Sequence, residues 1–181
     1  RVFLPCAIAM DGAFLTHSQA TVTVPSQEQV NEFLPPYDRG DLLLHPDNPI
    51  TIAPQANEDW LMEVRRQSSE ASKNAYTVLK EVHKDYCRIF GADVDPFLEE
   101  YMTDDADVVL VGMGTMSLPV KVAIREMRKD GIKVGMVRLK WVRPFPTNEL
   151  RDSLSRFKAV GVIDRDYSFG SPHDGGILFN E

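Results

Sequence analysis

Residues 108–163 read VVLVGMGTMSLPVKVAIREMRKDGIKVGMVRLKWVRPFPTNELRDSLSRFKAVGVI, and this stretch decides the fold class. Residues 108–111 are a short apolar strand ending in Gly112-Met113-Gly114-Thr115. Residues 117–129 carry Val120, Ala123, Ile124 and Met127 at the spacing of one helical face, and Gly131 can stop that helix. Residues 132–139 form a second strand. Thr147 can cap a short helix whose inward residues are Leu150, Leu154 and Phe157, and 159–163 form a third strand. Strand–helix–strand–helix–strand implies an α/β fold, a parallel sheet with flanking helices joined by right-handed crossovers. Three strands make a thin sheet, and Glu181 falls where another crossover helix is expected. Arg1 is not a start methionine, so both ends read as truncated.

Working outward, residues 93–107 hold Asp93, Asp95, Glu99, Glu100, Asp104, Asp105 and Asp107 with no base. Their spacing fits no calcium loop, so the stretch reads as a solvated acidic connection. Residues 57–90 predict one long helix, with Leu61, Val64, Ser68, Ala71, Ala75, Val78, Val82 and Ile89 on a single buried face. Asn57 is its expected N-cap and Gly91 its stop. Residues 20–56 hold Pro25, Pro35, Pro36, Pro46, Pro49 and Pro54, which predict an extended arm largely without regular structure. The arm also carries Phe33, Leu34, Tyr37, Leu42, Leu43, Leu44 and Ile50, so it is expected to lie across a domain or a partner subunit. Residues 2–9 are apolar and of strand length, and read as a buried strand before the Asp11-Gly12 turn.

The net charge of −7 without a basic stripe argues against nucleic acid. No apolar run is long enough to span a membrane. Cys6 and Cys87 are too few for a four-ligand cluster and read as plain thiols of a reducing cytoplasm.

Four places hold chemically interesting residues. Gly112-x-Gly114 has the form of a nucleotide-binding turn, but Ser117 stands at the third glycine position and Lys140-Trp141 follow the next strand where an acid is needed, so a tight turn is the preferred reading. Arg143 and Phe145, in Arg143-Pro144-Phe145-Pro146, sit at the carboxyl edge of a parallel strand, where such sheets place ligands. Arg143 has the fork to grip a carboxylate or phosphate, although interface or loop ordering is preferred. Asp164, Arg165, Ser168, Phe169 and Gly170 follow the third strand at the same edge, with His173 nearby, and carry the same preference for interface or loop ordering. Asp11, Thr16, His17 and Ser18 form the last cluster. His17 is the weak candidate for acid–base catalysis there, because an imidazole titrates near neutral pH; a hydrogen-bonded structural histidine is the alternative.

Taken in order, these stretches resemble the core subunit of the pyruvate:ferredoxin oxidoreductases. AMDGAFLTHS (residues 9–18) resembles the segment that closes that family's pyrimidine-binding domain, and LLHPDNPITIAP (43–54) its extended connection. The long stretch through RPFP (143–146), followed by DRDYSFG (164–170), resembles its next domain, which is similar to the C-terminal domain of transketolases. The resemblance divides the chain into residues 1–19, the end of the pyrimidine-binding domain; 20–56, the interdomain arm; 57–106, long helix and acidic connection; and 107–181, an incomplete transketolase C-terminal-like domain. It implies oxidative decarboxylation of a 2-oxoacid in the cytoplasm, with thiamine diphosphate, magnesium and iron–sulfur (4Fe-4S) clusters in the whole complex. None of these is expected to be bound by this segment alone, whose role is expected to be architectural. The implied partners are a thiamine-diphosphate- and cluster-binding subunit, a gamma-type subunit, a ferredoxin-like subunit and ferredoxin, with coenzyme A as a candidate acceptor. Two departures stand out: Ala13 replaces an expected aromatic, and Pro172-His173-Asp174 is inserted before Gly175. Oxalate or 2-oxoisovalerate as substrate, a non-catalytic interaction domain of the same fold, and a transketolase or branched-chain dehydrogenase fragment are the rival readings.

Overall fold

A computed structural model describes residues 2–181, apart from the side chain of His173. The chain divides into two compact units, residues 1–6 with 22–93 and residues 7–21 with 94–181.

The second unit is built on a four-stranded sheet. Its strands are β1 (Leu98–Tyr101), β2 (Val108–Met113), β3 (Val134–Leu139) and β4 (Ala159–Val162), in the order β1-β3-β2-β4. β2, β3 and β4 are parallel, with Val108 opposite Val134 and Ala159. α3 (Ser117–Lys129) and α4 (Thr147–Leu154) make the two crossovers. This is the α/β fold that the 108–163 pattern implies, with one strand added.

The added strand corrects the reading of 93–107. β1 runs antiparallel to β3, with Glu99 opposite Arg138 and Tyr101 opposite Met136. The acids there are bonded rather than merely solvated. Asp95 accepts from the amides of Phe97 and Leu98, each at 2.8 Å, and starts the strand. Glu99 pairs with Lys121 of α3 and with Arg138 at 3.0 Å. Glu100 accepts from Ser153 at 2.6 Å and Thr103 at 2.8 Å, and pairs with Arg156. Partial burial pushes both glutamates up, but these bonds outweigh it and leave both carboxyls below their ordinary range.

Apolar packing holds α3 on the sheet. Ile124 is fully buried and meets Val120, Val134 and Met136, with Tyr101, Leu110, Met127 and Ile163 closing around them. Burying a side chain of this size stabilises by about 1.5–3 kcal/mol. Ala123, expected on that face, is exposed. Phe97, Val109, Val111, Val137 and Leu139 are also buried in the core. Thr147 is the first residue of α4 rather than its cap, a position Pro146 takes. A side chain at Gly135 would lie 2.6 Å from the carbonyl oxygen of Met102, so only glycine lets β3 pass the end of β1.

In the first unit, α2 runs over Leu61–Phe90 and ends at Gly91, whose φ of 67° is left-handed. It starts four residues later than Asn57, whose carbonyl accepts from the amides of Trp60 and Leu61. The single stripe predicts a continuous buried face, but Ala75 is the buried residue of α2, and Leu61 and Val64 are exposed. The proline-rich arm also contains a helix, α1 (Gln27–Phe33), begun by a capping box between Ser26 and Gln29. α1 packs on the last turns of α2: Phe33 lies edge-on to Tyr86 and Phe90, Gln29 donates to the Ile89 carbonyl at 3.0 Å, and Glu32 pairs with Arg88 at 2.6 Å. The apolar run at 2–9 is extended but forms no strand, and Phe3 and Ile8 are exposed. A strand exists only against a neighbour, and no described residue pairs with this one. No helix among the described residues is long and apolar enough to cross a membrane.

Candidate functional site

Parallel strands bring the ends of β2, β3 and β4 to one edge of the sheet. After β2 the chain turns at Gly114, at φ 62°, into a short 3-10 turn (Gly114–Met116) that leads to α3. After β4 it runs into Asp164 and Arg165.

Asp11 meets both. Its Oδ2 accepts from the Thr115 hydroxyl at 2.9 Å and from Arg165 Nη1 at 2.7 Å. Its Oδ1 accepts from the amides of Ala13 and Phe14, at 3.1 and 3.2 Å. Four donors therefore converge on one half-buried carboxylate. The Phe14 amide first, then the Thr115 hydroxyl, hold its carboxyl below the ordinary range, so it is ionised at neutral pH.

The turn after Asp11 is tied to itself. The Thr16 hydroxyl donates to the Gly12 carbonyl, His17 Nδ1 lies 2.7 Å from the same carbonyl, and the Ser18 hydroxyl donates to the Phe14 carbonyl at 2.5 Å. His17 is thus a bonded turn residue. The Thr16 hydroxyl also lies 3.0 Å from His17 Nδ1, so hydroxyl and imidazole are bonded to each other as well as to the Gly12 carbonyl inside the turn.

The loop after β4 is ordered by its acids. Asp164 accepts from the Leu178 amide at 2.7 Å and Asp166 from the Ile177 amide at 3.1 Å, at the start of α5 (Ile177–Asn180). Burial works against ionisation of Asp164, yet bonds from Asp166 and from the Leu178 amide leave its carboxyl below the usual range. A side chain at Gly176 would come within 2.4 Å of Asp164 Oδ2 and 2.5 Å of Asp166 Oδ1, so this glycine is required by the two carboxylates. The Ser168 amide and the Ser171 hydroxyl both donate to the Gly175 carbonyl. Gly170 turns at φ 74°, and Phe169 projects with 90% of its surface exposed, edge-on to Tyr167 at 4.9 Å. The side chain of His173 lies outside the described residues.

At the end of β3, Arg143 pairs with Glu181, donates to the Val142 carbonyl at 2.8 Å, and lies 6.0 Å from the centre of the Phe145 ring. The structure therefore brings together Asp11, Arg165 and Thr115. It keeps Arg143 and Phe145 in a separate pair and His17 inside its own turn. Thr115 was not singled out by sequence, although a hydroxyl directly after Gly-x-Gly at a strand end is a visible donor.

The Thr115 hydroxyl and Arg165 Nη1, the donors at this edge, bond a carboxylate of the chain itself. Among the described residues no group of three or more His, Cys, Asp or Glu side chains is placed to hold a metal ion.

Residues 1–84 match the family described as pyruvate flavodoxin/ferredoxin oxidoreductase, thiamine diphosphate-binding, and residues 106–181 match pyruvate:ferredoxin oxidoreductase core domain II. Pyruvate synthase subunit PorA of Methanocaldococcus jannaschii is 36% identical over 170 residues, covering 93% of this chain and 44% of that protein. Ketoisovalerate oxidoreductase subunit VorA of Pyrococcus abyssi is 36% identical over 180 residues, covering 99% and 45%. The alpha subunit of an NADH-dependent phenylglyoxylate dehydrogenase from Aromatoleum evansii is 31% identical over 175 residues, covering 93% and 42%. The chain thus spans less than half the length of these relatives.

Proposed function

Because this chain belongs to the alpha-subunit family of the 2-oxoacid:ferredoxin oxidoreductases, we propose that it is part of the core subunit of an enzyme that oxidatively decarboxylates a 2-oxoacid and passes the electrons to ferredoxin. The observation that carries this reading is the succession of two domains of one family along a single chain, a thiamine diphosphate-binding domain and then core domain II. In that reaction thiamine diphosphate supplies the electron sink, and the polypeptide positions it. The role of this segment is architectural. Within its α/β unit Thr16 and His17 are bonded inside their own turn, and Asp11, Arg165 and Arg143 are paired with partners of the same chain.

The relatives named above act, by their names, on pyruvate, ketoisovalerate and phenylglyoxylate. Pyruvate is our first choice of substrate, on the similarity to the pyruvate synthase subunit, and a branched 2-oxoacid the second, on the similarity to the ketoisovalerate enzyme. Magnesium, iron–sulfur clusters and cluster-bearing partner subunits belong to the complete cytoplasmic assembly in this proposal. The exposed Phe169 and the arm residues Leu42, Leu43 and Leu44 are its interface candidates.

Purification of the full protein from its native source tests the reading. Mass spectrometry should find further oxidoreductase subunits co-eluting, with iron and thiamine present in the same fractions. A homogeneous preparation with neither iron nor thiamine and no partner chain would contradict it.

A further inference from the structure

Asp11 and Arg165 lie 154 residues apart, yet they meet at 2.7 Å. Asp11 falls within the 1–84 match to the thiamine diphosphate-binding domain, whereas Thr115 and Arg165 fall within the 106–181 match to core domain II. All three belong to one compact unit. The ion pair is therefore a bond between two family domains, made inside a single packed body.

Its geometry is that of a clamp. Every acceptor bond of the carboxylate is assigned: Oδ1 serves the turn that Asp11 begins, and Oδ2 serves the sheet edge. The turn is itself internally bonded, from Thr16 and His17 back to Gly12 and from Ser18 back to Phe14. A turn so tied moves as a piece. Whatever fixes Asp11 fixes His17 and Ser18 too.

We infer that Arg165 is a positioning residue: acting through Asp11, it sets the place of the 11–18 turn against the carboxyl edge of the β2–β4 sheet. Charge-assisted bonds are both stronger and more directional than neutral ones, which suits a contact that must hold a register. Thr115 supplies the second, neutral tether. The inference rests on the proposed function, since it makes the turn a working part of the thiamine diphosphate-binding domain.

The test uses the complete enzyme with its partner subunits, as wild type, Arg165→Ala, Arg165→Lys and Asp11→Asn. Two quantities are read: kcat and KM for the 2-oxoacid that the wild type turns over, and amide hydrogen exchange of peptides covering 11–18. In Arg165→Ala, kcat should fall tenfold or more with KM within twofold, and exchange over 11–18 should accelerate tenfold or more. Arg165→Lys should recover at least a third of the lost kcat. If Arg165→Ala does not assemble, Asp11→Asn decides, with a kcat at least threefold lower expected. Unchanged kcat, or a lowered kcat with unchanged exchange, would overturn the inference. A wild-type assembly that turns over no 2-oxoacid would refute the enzymatic reading instead; exchange alone would then decide the clamp, and its insensitivity to Arg165→Ala would overturn it.

Discussion

Replacing Gly135 with alanine should destabilise the α/β unit by an amount the structure sets. The new methyl carbon would stand 2.6 Å from the Met102 carbonyl oxygen and 3.1 Å from both the Met102 carbonyl carbon and Thr103 Cα. Ordinary C···O contact begins at about 3.3 Å, so something must move by roughly 0.7 Å. The obstacle is backbone on both counts, and it is pinned. Arg128 donates to the Met102 carbonyl at 2.6 Å and, through Nε, to the Val134 carbonyl at 2.7 Å, so it staples the two segments that would have to separate. Overpacking costs about 1–3 kcal/mol, and a pinned backbone puts this case at about 2–3 kcal/mol. For a unit of this size that is a drop of roughly 10 °C or more in Tm. Gly161→Ala is the control: its methyl would meet only the flexible end of Leu110, at 3.1 Å. The loss of unfolded-state entropy should offset that small cost to within about 0.5 kcal/mol. Urea unfolding of the whole chain in a Trp60→Phe background, followed by Trp141 fluorescence, reads the α/β unit selectively. A Gly135→Ala protein as stable as Gly161→Ala would refute the argument.

Other consequences are as direct. Asp11, Glu99 and Glu100 all have carboxyls held below their ordinary values, which are 3.8 for the aspartate and 4.5 for the glutamates. A depressed folded value stabilises above the unfolded one and is lost as pH falls through the folded one. The urea midpoint of the α/β unit should therefore be insensitive to these groups near neutrality and fall once the medium is more acidic than 4.5, with Glu99→Gln and Glu100→Gln flattening that fall. Ser26→Ala removes the capping box of α1 and should cost about 1 kcal/mol, seen as faster amide exchange over 27–33 with the α/β unit unaffected. Arg143→Ala should weaken assembly of the complex more than turnover by what remains assembled, measured by sedimentation beside activity; an intact complex with abolished turnover would argue the reverse.

The three parallel strands and α3 were legible because their signals are local. Residues 108–111 are a continuous apolar run, 134–139 is apolar but for Arg138, and 117–129 has a helical stripe between a turn and Gly131. β1 was not legible. Leu98-Glu99-Glu100-Tyr101 reads as solvated acid, and the cations that make it a strand, Lys121, Arg138 and Arg156, lie 22, 39 and 56 residues further on. α1 had a local signal, Ser26-x-x-Gln29, but the prolines around it outweighed the box. The opposite error occurred at 2–9, where apolar strand-length sequence stands without a partner to pair with. Of the candidate site, Arg165 could be named from sequence because it follows an apolar strand at a sheet edge, and Asp11 because it opens a polar cluster after an apolar run, although that run forms no strand. Their union could not, since no periodicity spans 154 residues.

Membership in a 2-oxoacid-decarboxylating complex is decided by measuring carbon dioxide release and ferredoxin reduction together in the native assembly, supplied in turn with pyruvate, 2-oxoisovalerate and phenylglyoxylate. At least one of these acids should drive both, in a two-to-one ratio of one-electron-reduced ferredoxin to carbon dioxide, and removing thiamine diphosphate should stop both. An intact, thiamine-replete assembly that releases carbon dioxide from none of them would contradict it.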